Sequence, residues 1–125
     1  LHCISQIKPQ AVKKLNRYFS QYYLSTIIVA ELYKSVYYSQ QASNNIESLQ
    51  QFTDLLSIEL SDLEAAIEFG KIQNEPKKIG KPTGELDALI AAVARSRNDI
   101  LVTNNIKYFT NIFNLQLENW LENYT

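Results

Sequence analysis

Two carboxylates stand near the start of a helix-forming run: Glu31, shortly after the β-prone segment Tyr22-Tyr23-Leu24-Ser25, and Asp87, three residues past Gly84. A third polar group, Thr103-Asn104-Asn105, comes after the apolar run Ile100-Leu101-Val102. Taken singly, each has an ordinary role. Glu31 suits the positive helix start or a pairing with Lys34. Asp87 suits a third helical position if Gly84 is the cap. The two asparagines and Thr103 suit turns and helix caps. Their combination says more. Carboxylates gathered at strand ends repel one another and need a divalent cation, and an oxygen-rich donor set suits Mg²⁺ or Mn²⁺. Such an ion can activate water and stabilise charge developing on a phosphodiester.

The elements that must position these groups alternate between helix and strand. Pro9 opens a helical segment with Val12, Leu15 and Phe19 on one face. After the strand at 22–25, Ser25 or Thr26 caps a helix running to Tyr38, and the polar stretch 39–45 breaks it. A second helix carries Ile46, Leu49, Phe52, Leu55 and Leu56 on one face. Residues 57–60 form a brief strand. Ser61 then starts another helix, with Glu64 completing a capping box, and that helix ends before Pro76. Residues 75–84 hold three lysines, two prolines and two glycines, the clearest loop in the chain. A helix over 85–98, a strand over 99–103, a short helix over 106–109 and a last strand near 115–117 close the chain. Strands separated by helices predict an α/β fold with a parallel sheet covered on both faces. Ligands of such sheets sit beyond the carboxyl ends of the strands, where the acids fall.

Composition excludes several other classes. With one His and one Cys in 125 residues, a disulfide, a multi-cysteine zinc site and a His-based triad are all set aside. The cysteine usage fits a reducing cytoplasm. No run approaches the roughly 18 apolar residues of a membrane span, and no Walker or dinucleotide-binding motif competes. Net charge is −1, so a basic field is not what would hold a nucleic acid. Lysines 71, 77, 78 and 81 read as a solvated loop.

Four blocks in order resemble the PIN-domain toxins of the VapC type. Ser25-Thr26-Ile27-Ile28-Val29-Ala30-Glu31-Leu32 is similar to their Ser-to-Glu-Leu stretch, and Asp87-Ala88-Leu89-Ile90-Ala91-Ala92 to their Asp-x-x-Ile-Ala-Ala helix. Leu101-Val102-Thr103-Asn104-Asn105 followed by Tyr108-Phe109, and the ending Leu115-Gln116-Leu117-Glu118-Asn119-Trp120, resemble the two closing blocks. The resemblance implies a PIN-like parallel sheet over one domain, 1–125, and Mg²⁺-dependent endoribonuclease activity. It also implies an antitoxin partner and a homodimer. Glu31 and Asp87 would then bind the metal and position the attacking water. Asn105 stands where many relatives carry a fourth acid, and Thr103 where a small hydroxyl residue is kept.

Family members open on a strand ending in aspartate, whereas Leu1-His2-Cys3-Ile4-Ser5 resembles the stretch just after that motif. The chain opens at Leu1, so we read it as a fragment, a processed product or a truncated frame, with a sheet lacking its first strand. Two carboxylates should bind Mg²⁺ less well than three, so weak activity or none is expected. Two rival readings are a catalytically inactive PIN scaffold that binds an antitoxin or another protein through surfaces such as Tyr33, Tyr37 and Tyr38, and an unrelated helical regulator without strands.

Overall fold

Ser25 ends one element and starts the next. It closes strand β2 (Tyr22–Ser25), and its hydroxyl accepts from the Ile28 amide at 3.4 Å, capping helix α1 (Thr26–Tyr38). The structure, a computed structural model, describes residues 1–5, 21–76 and 83–120. The helical segment expected from Pro9 and the lysines at 77, 78 and 81 lie outside the described residues. Among those described, β1 (His2–Ile4) precedes β2 and α1. Next come α2 (Ala42–Asp54), β3 (Ile58–Glu59), α3 (Leu63–Asn74) and α4 (Glu85–Ser96). Strand β4 (Ile100–Val102), a 3₁₀ turn (Ile106–Tyr108) and β5 (Gln116–Glu118) complete the order.

The strands form one parallel sheet in the order β3-β2-β1-β4-β5. This overturns the unrelated-regulator reading. It also corrects the expectation of a missing first strand, because His2–Ile4 fills the central place between β2 and β4. The physical reason is pairing. Without a strand there, β2 and β4 would each present an unsatisfied ladder edge. The segment supplies the bonds: the His2 amide donates to Gln21 O at 2.8 Å and the Ser5 amide to Val102 O at 3.0 Å. Cys3 and Ile4 are buried as a result. Three residues that include His and Cys carry too weak a β signal to be read as a strand.

The core lies where α4 covers the sheet. Ala88 and the run from Ile90 to Ala94 are buried, and their small side chains let α3 and the strands approach closely. Asn98, at φ 57°, turns the chain out of α4 in the left-handed region that asparagine tolerates. Two boundaries differ from expectation. Helix α2 begins at Ala42, within the stretch expected to be non-helical, with Gln41 at its cap position and no capping side chain. The cap of α3 is Asp62, whose Oδ1 accepts from the Ala65 amide at 3.0 Å, and not Ser61. The Ser61 amide instead donates to Thr26 Oγ1 at 3.1 Å, tying β3 to the start of α1.

Arg95 fastens the outer layer. Its guanidinium donates to Glu68 at 2.6 Å, to both Glu75 oxygens at 2.6 and 2.8 Å, and to Phe113 O at 3.0 Å. One nearly buried fork thus joins α3, α4 and the approach to β5. Arg95→Ala is expected to lower the unfolding free energy in urea by about 3 kcal/mol, because it strands two partly buried carboxylates. A loss below about 1 kcal/mol would show the cluster to be solvent-screened.

Candidate active site

The strand order reverses between β1 and β4: the chain leaves β1 towards β2 on one side, and β4 continues on the other. Such a switch point opens a crevice beyond the strand ends. Here it is a cleft of about 250 Å³. All four residues singled out from the sequence line it: Glu31, Asp87, Thr103 and Asn105. Ile28, Ile90 and Phe109, mostly buried, give it an apolar floor, and Ser5, Leu32, Ser35, Leu86 and Tyr108 complete the polar and apolar walls.

Each side chain reaches the cleft for a local reason. Glu31 sits on the second turn of α1, and Ser35 comes one turn later on the same face. Gly84 occupies the cap position of α4, so Asp87 is its third residue, as the sequence indicated. Burial raises the Asp87 carboxyl above the ordinary carboxylate range, because the apolar helix edge disfavours its charged form. Thr103, 2% exposed, lies just past β4; its hydroxyl accepts from the Asn105 amide at 3.0 Å, while its own amide donates to Glu118 O at 3.0 Å. Asn105 O in turn accepts from the Tyr108 amide at 3.0 Å, closing the 3₁₀ turn. Thr103 and Asn105 are therefore parts of one hydrogen-bonded corner.

Ser5, Ser35, Leu86 and Tyr108 were not singled out as site residues. Ser5 directly follows the central strand, and its hydroxyl donates to Val102 O at 2.7 Å. Only the pairing of β1 with β4, across 97 positions of sequence, brings it to the cleft. Ser35 could have been found from its spacing to Glu31, since residues four apart share a helix face.

The other reactive types lie elsewhere. His2, on β1, faces Glu118 at 3.5 Å and packs its ring 5.6 Å from that of Trp120, whose Nε1 donates to Glu118 at 2.9 Å. Cys3 is buried, and desolvation pushes its thiol up to about 12, which rules out a ready thiolate. Among the described residues, no three His, Cys, Asp or Glu side chains converge as a metal cage. The cleft offers a carboxylate pair with neutral oxygen donors around it.

Residues 5–112 match the PIN domain family. The chain is 35% identical over 121 residues to Ribonuclease VapC2 of Haemophilus influenzae, spanning 97% of this chain and 92% of that protein. It is 32% identical over 121 residues to the tRNA(fMet)-specific endonuclease VapC of Shigella flexneri, spanning 94% and 92%. Its structure superposes with a TM-score of 0.84 on a chain of VapBC2 from Rickettsia felis bound to a promoter DNA fragment, at 29% identity and covering 95% of this chain and 98% of that one. Against DNA-bound VapBC from Salmonella typhimurium the TM-score is 0.86 at 26% identity, with 95% and 97% covered.

Proposed function

Because this chain belongs to the PIN domain family, alongside VapC ribonucleases, we propose that residues 1–125 form one PIN domain acting as a metal-dependent endoribonuclease, the toxin of a toxin–antitoxin pair. The observation that carries the reading is the meeting of Glu31 and Asp87 in one cleft at the switch point of the sheet. The donors fit Mg²⁺, with Mn²⁺ as the alternative. Mg²⁺ keeps several waters and takes one or two carboxylates plus substrate phosphate. Burial leaves the ionised Asp87 carboxylate poorly solvated, a cost that a bound cation would offset.

Glu31 and Asp87 would hold the ion, which when bound offsets charge on the phosphodiester and lowers the pKa of water. The protein's own groups do the positioning. The Glu31 carboxylate accepts a hydrogen bond from the attacking water and orients it. Thr103 fixes the backbone of Asn105, so that the Asn105 side-chain carboxamide would meet a phosphate oxygen at a set position. Ile28, Ile90 and Phe109 keep the floor dry, which strengthens each polar contact above it.

The chain's one histidine, His2, packs against Trp120 and is not among the residues lining the cleft. This favours attack by water over attack by the ribose 2′-hydroxyl, which an imidazole base would assist. End-group analysis of cleaved single-stranded RNA tests this. Products free of 2′,3′-cyclic phosphate, formed with Mg²⁺ and lost on Glu31→Gln, are expected. Cyclic phosphate ends, or a fully active Glu31→Gln variant, would contradict the reading.

The proposed protein partners are a cognate antitoxin and a second copy of the chain. The similarity to chains from VapBC structures supports the antitoxin, and exposed apolar residues beside β3 (Leu60, Leu63 and Ile67) offer contact area for either. No described helix is long and apolar enough to cross a membrane, and we place the activity in the cytoplasm with its RNA. One observation favours the inactive antitoxin-binding scaffold as a second reading: the residue that follows the central strand into the cleft is Ser5 and not an acid. A purified chain that binds its antitoxin but never cleaves RNA would establish it.

A further inference from the structure

Tyr108 lines the cleft that holds Glu31 and Asp87, yet it is 53% exposed. Exposed Tyr37 and Tyr38 do not line it. The ring is mounted on a short, well-tied turn: the Tyr108 amide donates to Asn105 O at 3.0 Å, the Phe109 amide to Ile106 O at 2.9 Å, and buried Phe109 anchors the turn in the core. Lys107 places its ammonium 5.3 Å from the centre of the Tyr108 ring, over one face. Leu86, half-exposed on the first turn of α4, lines the same cleft. An aromatic plate held beside a phosphate-handling site, backed by a cation, is what single-stranded nucleic acid uses for base stacking.

We propose that Tyr108 is a stacking platform that positions the nucleobase next to the scissile phosphate. The proposal rests on the ribonuclease reading and adds a residue that positions the base. A free base face is needed on the RNA, and the charge on Lys107 supports the adjoining phosphate without reading sequence.

The test is binding of an end-labelled single-stranded RNA to the full chain, measured by fluorescence anisotropy in EDTA, which keeps the RNA intact. Tyr108→Ala is expected to weaken binding by about tenfold, the scale of one base–aromatic stack, while Tyr108→Phe stays near the parent. RNAs made abasic at one position at a time add the decisive comparison. At one position, base removal should weaken the parent by about tenfold and leave Tyr108→Ala no weaker than before. Lys107→Ala should weaken intact and abasic RNA alike and flatten the salt dependence. Binding indifferent to Tyr108→Ala, or Tyr108→Phe as weak as Tyr108→Ala, would overturn the platform alone. Absence of any RNA binding by the parent chain, with or without Mg²⁺, would overturn the ribonuclease reading and the platform with it.

Discussion

Replacing Asp87 with Asn is expected to lower the rate of RNA cleavage by about 10²–10³-fold while raising the thermal midpoint at neutral pH. The first effect comes from removing one of two carboxylates in the cleft. The second comes from the effect of burial on that carboxylate. Its folded-state pKa is raised by desolvation, so between the unfolded and folded values the native state binds more protons than the unfolded chain. Stability then falls as pH rises through that window, and the full penalty stands above the folded pKa. A neutral amide at this position escapes the penalty. Thermal melts of parent and variant should converge well below the carboxylate range, at about pH 3, and diverge in favour of Asp87→Asn as pH rises to neutrality. A divalent cation should raise the midpoint of the parent and leave the variant nearly unmoved. A variant less stable than the parent at every pH would mean that the ionised carboxylate is held by favourable contacts.

Ser5→Asp is expected to act in the opposite direction, tightening Mg²⁺ or Mn²⁺ binding by tenfold or more, about 1.4 kcal/mol on the scale of one added charged contact, with a parallel gain in cleavage. Ser5 directly follows the central strand and lines the cleft beside the acids. A carboxylate there would turn a pair into a triad and offset more of the cost of dehydrating the ion. It would also place three like charges together, so the apo protein should lose stability and regain it when the cation is added. The Ser5 hydroxyl's bond to Val102 O is lost as well, a neutral contact worth about 1 kcal/mol. Titration of Mn²⁺ monitored by the free-ion EPR signal, beside cleavage rates, measures both effects. If the variant binds no better and cleaves no faster, the end of β1 does not face the ion.

The features legible in the sequence are those set by near neighbours. Ser25 before an apolar helix, Gly84 two residues before Leu86, and alternating runs of helix and strand signals locate Glu31 and Asp87 at element ends. The fold class rests on the same alternation. The features that stay hidden depend on distant pairing. His2–Ile4 is a strand because β2 and β4 flank it, not because its residues favour one. Ser5 belongs to the site only through that register. Tyr108 reads as part of a closing block, and its exposure beside the acids emerges only when the 3₁₀ turn folds back on Asn105. The shift of the α3 cap from Ser61 to Asp62 has the same origin, since Ser61 is engaged by Thr26 from another element.

Cleavage of a single-stranded RNA across a Mg²⁺ titration, by the purified chain and by its Glu31→Gln/Asp87→Asn double variant, tests the central claim most directly. The carboxylate pair predicts saturable, cation-dependent cleavage by the parent, slow but measurable, and none by the double variant. Cleavage that persists in EDTA, or that the double variant retains, would contradict it.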